Sequence, residues 1–227
     1  MRLLSVNFHY FRSVKPESGI YPLTKQEFEK QVDEISRYYK FISQQELSEK
    51  IEKQRFDNNN YCLLTFDDGL KEQNDVFDIL LRKGVPGVFY VSTDPIAKHI
   101  VLDVHKLHYI RSKIKDKDLF HRLDDFCFIS NYTFNLDSLR AQYRYDNDLA
   151  SKVKFYMNFV MTKDQKNLFI SELFLEMVGN ESDFSKKLYM SVNDIKKLSV
   201  HGCLGSHGAS HSPLAQLEFE SAKQDIE

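Results

Sequence analysis

Two short clusters combine side chains that can do chemistry. The first is Thr65-Phe66-Asp67-Asp68-Gly69. Two adjacent carboxylates follow a nearly continuous apolar run, Tyr61 to Phe66, and the glycine behind them permits a tight turn. Such a run suits a parallel strand buried on both faces. In parallel α/β sheets and barrels, ligands bind at the carboxyl ends of the strands. Like charges that close repel, so their protonation is coupled unless a cation sits between them. A solvated Asp-Asp-Gly turn has the same composition. The second cluster is Ser206-His207-Gly208-Ala209-Ser210-His211, again behind a short apolar segment. His207 and His211 face one way if the segment is helical, and neutral imidazole is the commonest metal ligand. Alone, an exposed loop with two ordinary histidines is the better reading. Taken together, one carboxylate and two imidazoles make a three-ligand set that leaves positions open for water and substrate.

The elements that must position these groups alternate between strand and helix. Leu3 to Phe8 reads as a short buried strand that ends at His9. Thr24 to Glu27 has capping-box spacing, and Phe28, Val32, Ile35 and Tyr39 behind it form one apolar helical stripe. Lys40 to Ile42 reads as a short strand, and Ser43 to Glu46 as a second capping box. Helical spacing then extends from Leu70 to Lys83, with Gly84 in the position of a C-terminal cap, and Gly87 to Ser92 is the next strand. This β-α-β order favours a parallel sheet with crossover helices. Between Pro95 and Met190 the pattern loosens into charged and aromatic sequence, with helices expected around residues 100–115, 149–161 and 165–178. Within it, His105 and His108 share a helical face that reads as solvated, and Phe155, Tyr156 and Phe159 read as packing residues. Order returns with the cap at Ser191, a short strand Cys203 to Ser206, and a polar helix from Glu218.

Composition narrows the class. A chain of 227 residues with 42% hydrophobic and 28% charged residues can bury a core, which excludes a disordered tail, a collagen-like repeat and a membrane bundle. A net charge of −2 offers no basic field to recruit nucleic acid or anionic lipid. Three scattered cysteines without a C-x-x-C pair fit a reducing compartment. The apolar opening is broken by Asn7 and His9, and nowhere do 18 apolar residues run together. A cytoplasmic location without a membrane span is expected.

Thr65–Gly69 resembles the TFDDG motif of the polysaccharide deacetylases (NodB-homology domain, carbohydrate esterase family 4), and His207–His211 followed by Ser-Pro-Leu resembles their His-x-x-x-His motif. Asn7 to Tyr10 is similar to the Tyr-His segment that opens one branch of the family, and Gly84 to Val91 to its second strand region. The likeness spans Leu3–Thr93 and Met190–Glu227 and leaves the middle unmatched. It implies that Asp67 is the general base and that Asp68, His207 and His211 hold a divalent metal. Zinc comes first, with nickel, cobalt or iron as alternatives. The implied reaction is hydrolysis of an N-acetyl group on an amino-sugar glycan or its precursor. His9 is a further candidate, to touch substrate or to support a ligand; an ordinary core-edge histidine is the other reading.

The resemblance also implies an α/β fold, a partial, distorted (β/α) barrel with a mostly helical insertion. The expected divisions are 1–94 with the carboxylates, 95–190 as insertion, and 191–227 with the histidines. Outside the insertion there is sequence for about half of a barrel of roughly 250 residues. The family's later arginine motif, oxyanion tyrosine and general-acid histidine have no counterpart after His211. A fragment, a truncated product or half of a complex is therefore expected, with an open sheet edge available for self-association. Two other functions remain open at this point: a silent carbohydrate-binding or assembly protein, and an amide hydrolase of the same family acting on a non-sugar substrate.

Overall fold

The computed structural model describes residues 1–16, 19–55 and 57–227. They divide into two compact units. The first comprises Met1–Lys15, Tyr21–Leu102 and Glu181–Glu227. The second comprises Asp103–Asn180 and the described residues of Pro16–Ile20.

The first unit opens with β1 (Arg2–Phe8), α1 (Lys25–Ser36), β2 (Lys40–Phe41) and α2 (Gln44–Glu52). At α1 both halves of the capping box form: Glu27 N–H donates to Thr24 Oγ1 at 3.1 Å, and Thr24 N–H donates to Glu27 Oε2 at 2.7 Å. Only half of the expected box forms at α2, where Ser43 accepts from Glu46 N–H. Next come β3 (Asn60–Phe66), α3 (Gln73–Lys83), β4 (Val88–Val91) and the short α4 (Asp94–Ala97). The expected helix from Leu70 starts later, at Gln73. Leu70 bridges to Tyr189 and Lys71 N–H donates to Leu188 O at 2.8 Å, so this turn is tied to another segment. The helix ends at Gly84, left-handed at φ +63°, as the sequence leads one to expect.

The second unit is helical: α5 (Asp103–Lys113), α6 (Asp116–Cys127), α7 (Leu136–Gln142), α8 (Asp148–Phe155) and α9 (Lys163–Val178). Helices α6 and α7 go beyond the sequence reading. On α6, Leu119, Phe120, Leu123 and Phe126 recur at helical spacing among charged residues, and Leu119 and Leu123 are buried. The solvated reading of His105 is corrected: α5 packs along α9, and His105 is 3% exposed. Arg111, also buried on α5, faces the carboxylates of Asp116 at 3.3 Å and Asp146 at 3.7 Å.

The chain then re-enters the first unit through α10 (Glu181–Leu188), α11 (Val192–Val200), β5 (Leu204–Ser206) and α12 (Phe219–Ile226). All strand pairings are parallel, in an open five-stranded sheet. β3 is central, with β1 along one side; β2 pairs with its start and β4 with its end, and β5 lies beyond β4. Alternate residues of β3 point to opposite faces, and both faces are buried. Cys62, Leu64 and Phe66 join Phe8, Phe28, Phe77, Phe89 and Leu198 in the main core, where the Phe66 and Phe89 rings stack at 4.4 Å. Tyr61 and Leu63 meet Ile42 and Val88 on the other face. Parallel pairing has one consequence for chemistry: the carboxyl ends of β1, β3, β4 and β5 share an edge, which places His9, Asp67, Ser92 and His207 together.

Candidate metal centre

The β3 strand ends at Phe66, and the pairing to β1 continues one step further, with Asp67 N–H donating to Phe8 O at 3.0 Å. The backbone then turns sharply through two left-handed residues, Asp68 at φ +77° and Gly69 at φ +63°. A side chain at position 69 would press on Val91 in addition to facing this backbone strain, so the motif needs its glycine. Met190 N–H donates to Gly69 O at 2.9 Å and fixes the turn from outside. Gln73, fully buried at the start of α3, donates from Nε2 to His9 O at 2.9 Å and to Asp67 O at 2.7 Å. One amide thus joins the ends of β1 and β3.

His207 follows β5 directly. Its N–H donates to Val91 O at 3.0 Å, and its carbonyl accepts from Ser92 Oγ at 3.1 Å. The histidine segment is a loop, not the helical turn on which the i, i+4 argument depended. His211 reaches the site because its own backbone is left-handed, at φ +59°. From α12, Asp225 holds this loop. Its carbonyl accepts from Ala209 N–H and its Oδ1 from Ser210 N–H, each at 2.8 Å. Gly208, at φ +71°, leaves the space that the Asp225 carboxylate occupies.

These loops bring three donors together. His207 Nε2 lies 3.5 Å and His211 Nε2 3.2 Å from Asp68 Oδ1, and the two imidazole rings stand nearly edge to face, 4.8 Å apart. One donor atom from each of the three residues falls within 4.8 Å of the others. Donors about 2.1 Å from a shared tetrahedral ion lie about 3.4 Å apart. The two separations from Asp68 match that spacing, and the set of one oxygen and two imidazole nitrogens suits a borderline divalent ion. Asp68 is buried (3% exposed), while the two histidines are partly open to solvent. The Asp68 carboxylate, through its hydrogen bond, raises the His207 pKa above the ordinary imidazole value, against burial, which lowers it.

Asp67 stands beside this triad with different partners. Its Oδ2 accepts from Asn7 Nδ2 at 2.7 Å, and Asn7 Oδ1 in turn accepts from Thr65 Oγ1 at 3.1 Å. His9 Nε2 lies 3.8 Å from Asp67 Oδ2 and 4.0 Å from Asp68 Oδ2, with nearly half of the side chain exposed. The structure therefore gathers Asp67, Asp68, His207, His211 and His9 at one edge. It adds groups that the motifs did not single out. Asn7, Gln73 and Asp225 act through contacts distant in sequence. Burial and the nearby Asp68 charge raise the phenol pKa of Tyr10, and burial foremost raises that of Tyr189, whose hydroxyl accepts from Leu102 N–H at 3.1 Å.

No protein-family model matches the sequence, and no curated protein is significantly similar to it. Among solved structures, a polysaccharide deacetylase from Bacillus cereus aligns with 99% of this chain and 46% of its own, at 11% identity and a TM-score of 0.48. A deacetylase from Streptococcus pyogenes, solved with acetate, aligns over 76% of this chain and 80% of its own (13% identity, TM-score 0.39). A de-N-acetylase from Aggregatibacter actinomycetemcomitans aligns over 40% of this chain and 37% of its own (17% identity, TM-score 0.36). The matched segments cover less than half the length of the Bacillus and Aggregatibacter proteins. Each likeness is distant, with a TM-score below 0.5.

Proposed function

We propose that this chain is a metal-dependent hydrolase that removes N-acetyl groups from an amino-sugar glycan or glycan precursor. The observation that carries the reading is the convergence of Asp68, His207 and His211 beside a carboxylate, Asp67, that is held by other groups. Two motifs of one family, far apart in sequence, supply those residues in matching order.

In this reading Asp68, His207 and His211 hold one divalent ion, with zinc the first fit for two imidazoles and a carboxylate. The ion would lower the pKa of a water and polarise the acyl oxygen. Asp67 takes the proton of the attacking water as its oxygen joins the acyl carbon. The carbon–nitrogen bond then breaks as Asp67 passes that proton to the amine nitrogen, and the acid released gives up its remaining proton to water and leaves as acetate. His9, exposed and within 4.0 Å of both carboxylates, faces the space where a substrate would lie. We assign the helical unit no part in this chemistry and read it as an insertion between the strands.

The test is acetate release from N-acetylglucosamine oligomers and from N-acetylated sugar nucleotides by the zinc-loaded chain. Slow release is expected, with a loss of at least about 100-fold in Asp67→Asn and His207→Ala. Zinc uptake and glycan binding without release would favour a silent binding protein. Release only from acyl amides that carry no sugar would favour the other hydrolase. Either result would overturn the substrate and reaction proposed here.

A further inference from the structure

The reading above gives two neighbouring carboxylates opposite tasks, and this inference rests on it. Asp68 must bind the ion, whereas Asp67 must stay off it to act as a base. Chemistry alone does not separate them. Both are hard oxygen donors on consecutive residues, and one oxygen of each lies within 4.0 Å of His9 Nε2. A three-ligand ion with open positions would accept a second carboxylate readily.

We propose that Asn7 is the positioning residue that keeps Asp67 a free base. Its side-chain amide tethers Asp67 Oδ2 at 2.7 Å and holds that carboxylate out of the ion's coordination shell. Three features of the geometry support the assignment. First, Asn7 and Thr65 are register partners on adjacent parallel strands, so the tether is anchored on rigid backbone. Second, Thr65 Oγ1 donates to Asn7 Oδ1 at 3.1 Å, which settles the amide's orientation and directs its N–H toward Asp67. Third, an amide donates a hydrogen bond without bringing a charge. It orients the carboxylate and leaves the negative charge that a base requires, where a lysine would offset much of it. Asn7 is exposed, so its replacement leaves the core untouched.

The test is the visible spectrum of the cobalt(II)-loaded chain, which reports coordination number independently of activity. Asn7→Ala, and Asn7→Leu, which keeps the shape without a donor, are expected to weaken and shift the cobalt bands as Asp67 joins the ion. Cobalt affinity should hold or tighten in both. Asp67→Ala placed on top of Asn7→Ala should restore the parent spectrum. In turnover, kcat should fall 10- to 100-fold with KM nearly unchanged, the range seen when a partner of a metal-site group is removed. A parent that binds cobalt, and variants with the same spectrum as the parent, would overturn the tether alone. A parent that takes up no cobalt would overturn the metal reading, and the tether with it.

Discussion

Asp68 and His211 are two of the few described residues other than glycine with a left-handed backbone, at φ +77° and +59°. Such a conformation costs a non-glycine residue about 1–2 kcal/mol, and strain of this kind collects at functional sites. Removing it separates stability from binding. His211→Gly is expected to leave the metal-free chain at least as stable in thermal unfolding while abolishing the stabilisation that zinc gives the parent. Protonation is the second handle at this scale. In the metal-free chain, the Asp68 hydrogen bond raises the folded pKa of His207 above its ordinary 6.5. That contribution to stability is complete below pH 6.5 and is lost as pH rises through the raised value. An ion competes with the same proton, so zinc affinity should fall as pH drops through that range. Calorimetry in buffers of different ionisation enthalpy should show proton release on binding. The meeting of Asp67–Asp68 with His207–His211 at one edge was legible in the sequence, because both clusters directly follow apolar strands. Asn7 and Gln73 were not, because the bonds of Asn7 to Asp67 and of Gln73 to His9 cross sixty or more residues and no local pattern encodes them.

At the scale of elements, capping chemistry was the most readable signal. Thr24 and Ser191 each make a complete capping box. Thr24→Ala should cost about 1 kcal/mol in chemical unfolding, with no change in metal binding. The late start of α3 was hidden, since Leu70 fits a helical stripe yet pairs with Tyr189. The histidine loop was misread for a similar reason. Four-residue spacing is helical only if the backbone is, and here Asp225 of α12 accepts from the Ala209 and Ser210 N–H groups and holds the segment as a loop. Asp225 therefore supports the loop that carries both histidines. Asp225→Ala is expected to weaken zinc binding about tenfold, in line with other groups that orient a ligand. Circular dichroism should remain close to that of the parent.

For the whole molecule, the sheet was legible and the helical unit only partly so. A parallel strand buried on both faces announces itself as a continuous apolar run, which β3 does from Tyr61 to Phe66. Helix α6 does carry a periodic stripe, Leu119, Phe120, Leu123 and Phe126, set among charged residues, whereas α7 with seven residues is too short for a periodic signal. Among the described residues no helix is long and apolar enough to cross a membrane. The parallel order of β1, β3, β4 and β5 is what turns two remote motifs into one site, so ion binding and folding of the first unit should be linked. Zinc at 100 times its dissociation constant should add about 2.7 kcal/mol to stability. The most direct measurement is calorimetric titration of the metal-free chain with zinc. One ion per chain is expected, retained in Asp67→Asn and weakened at least about 100-fold in Asp68→Asn and in His207→Ala. No uptake by the parent, or equal uptake by all three variants, would contradict the centre described here.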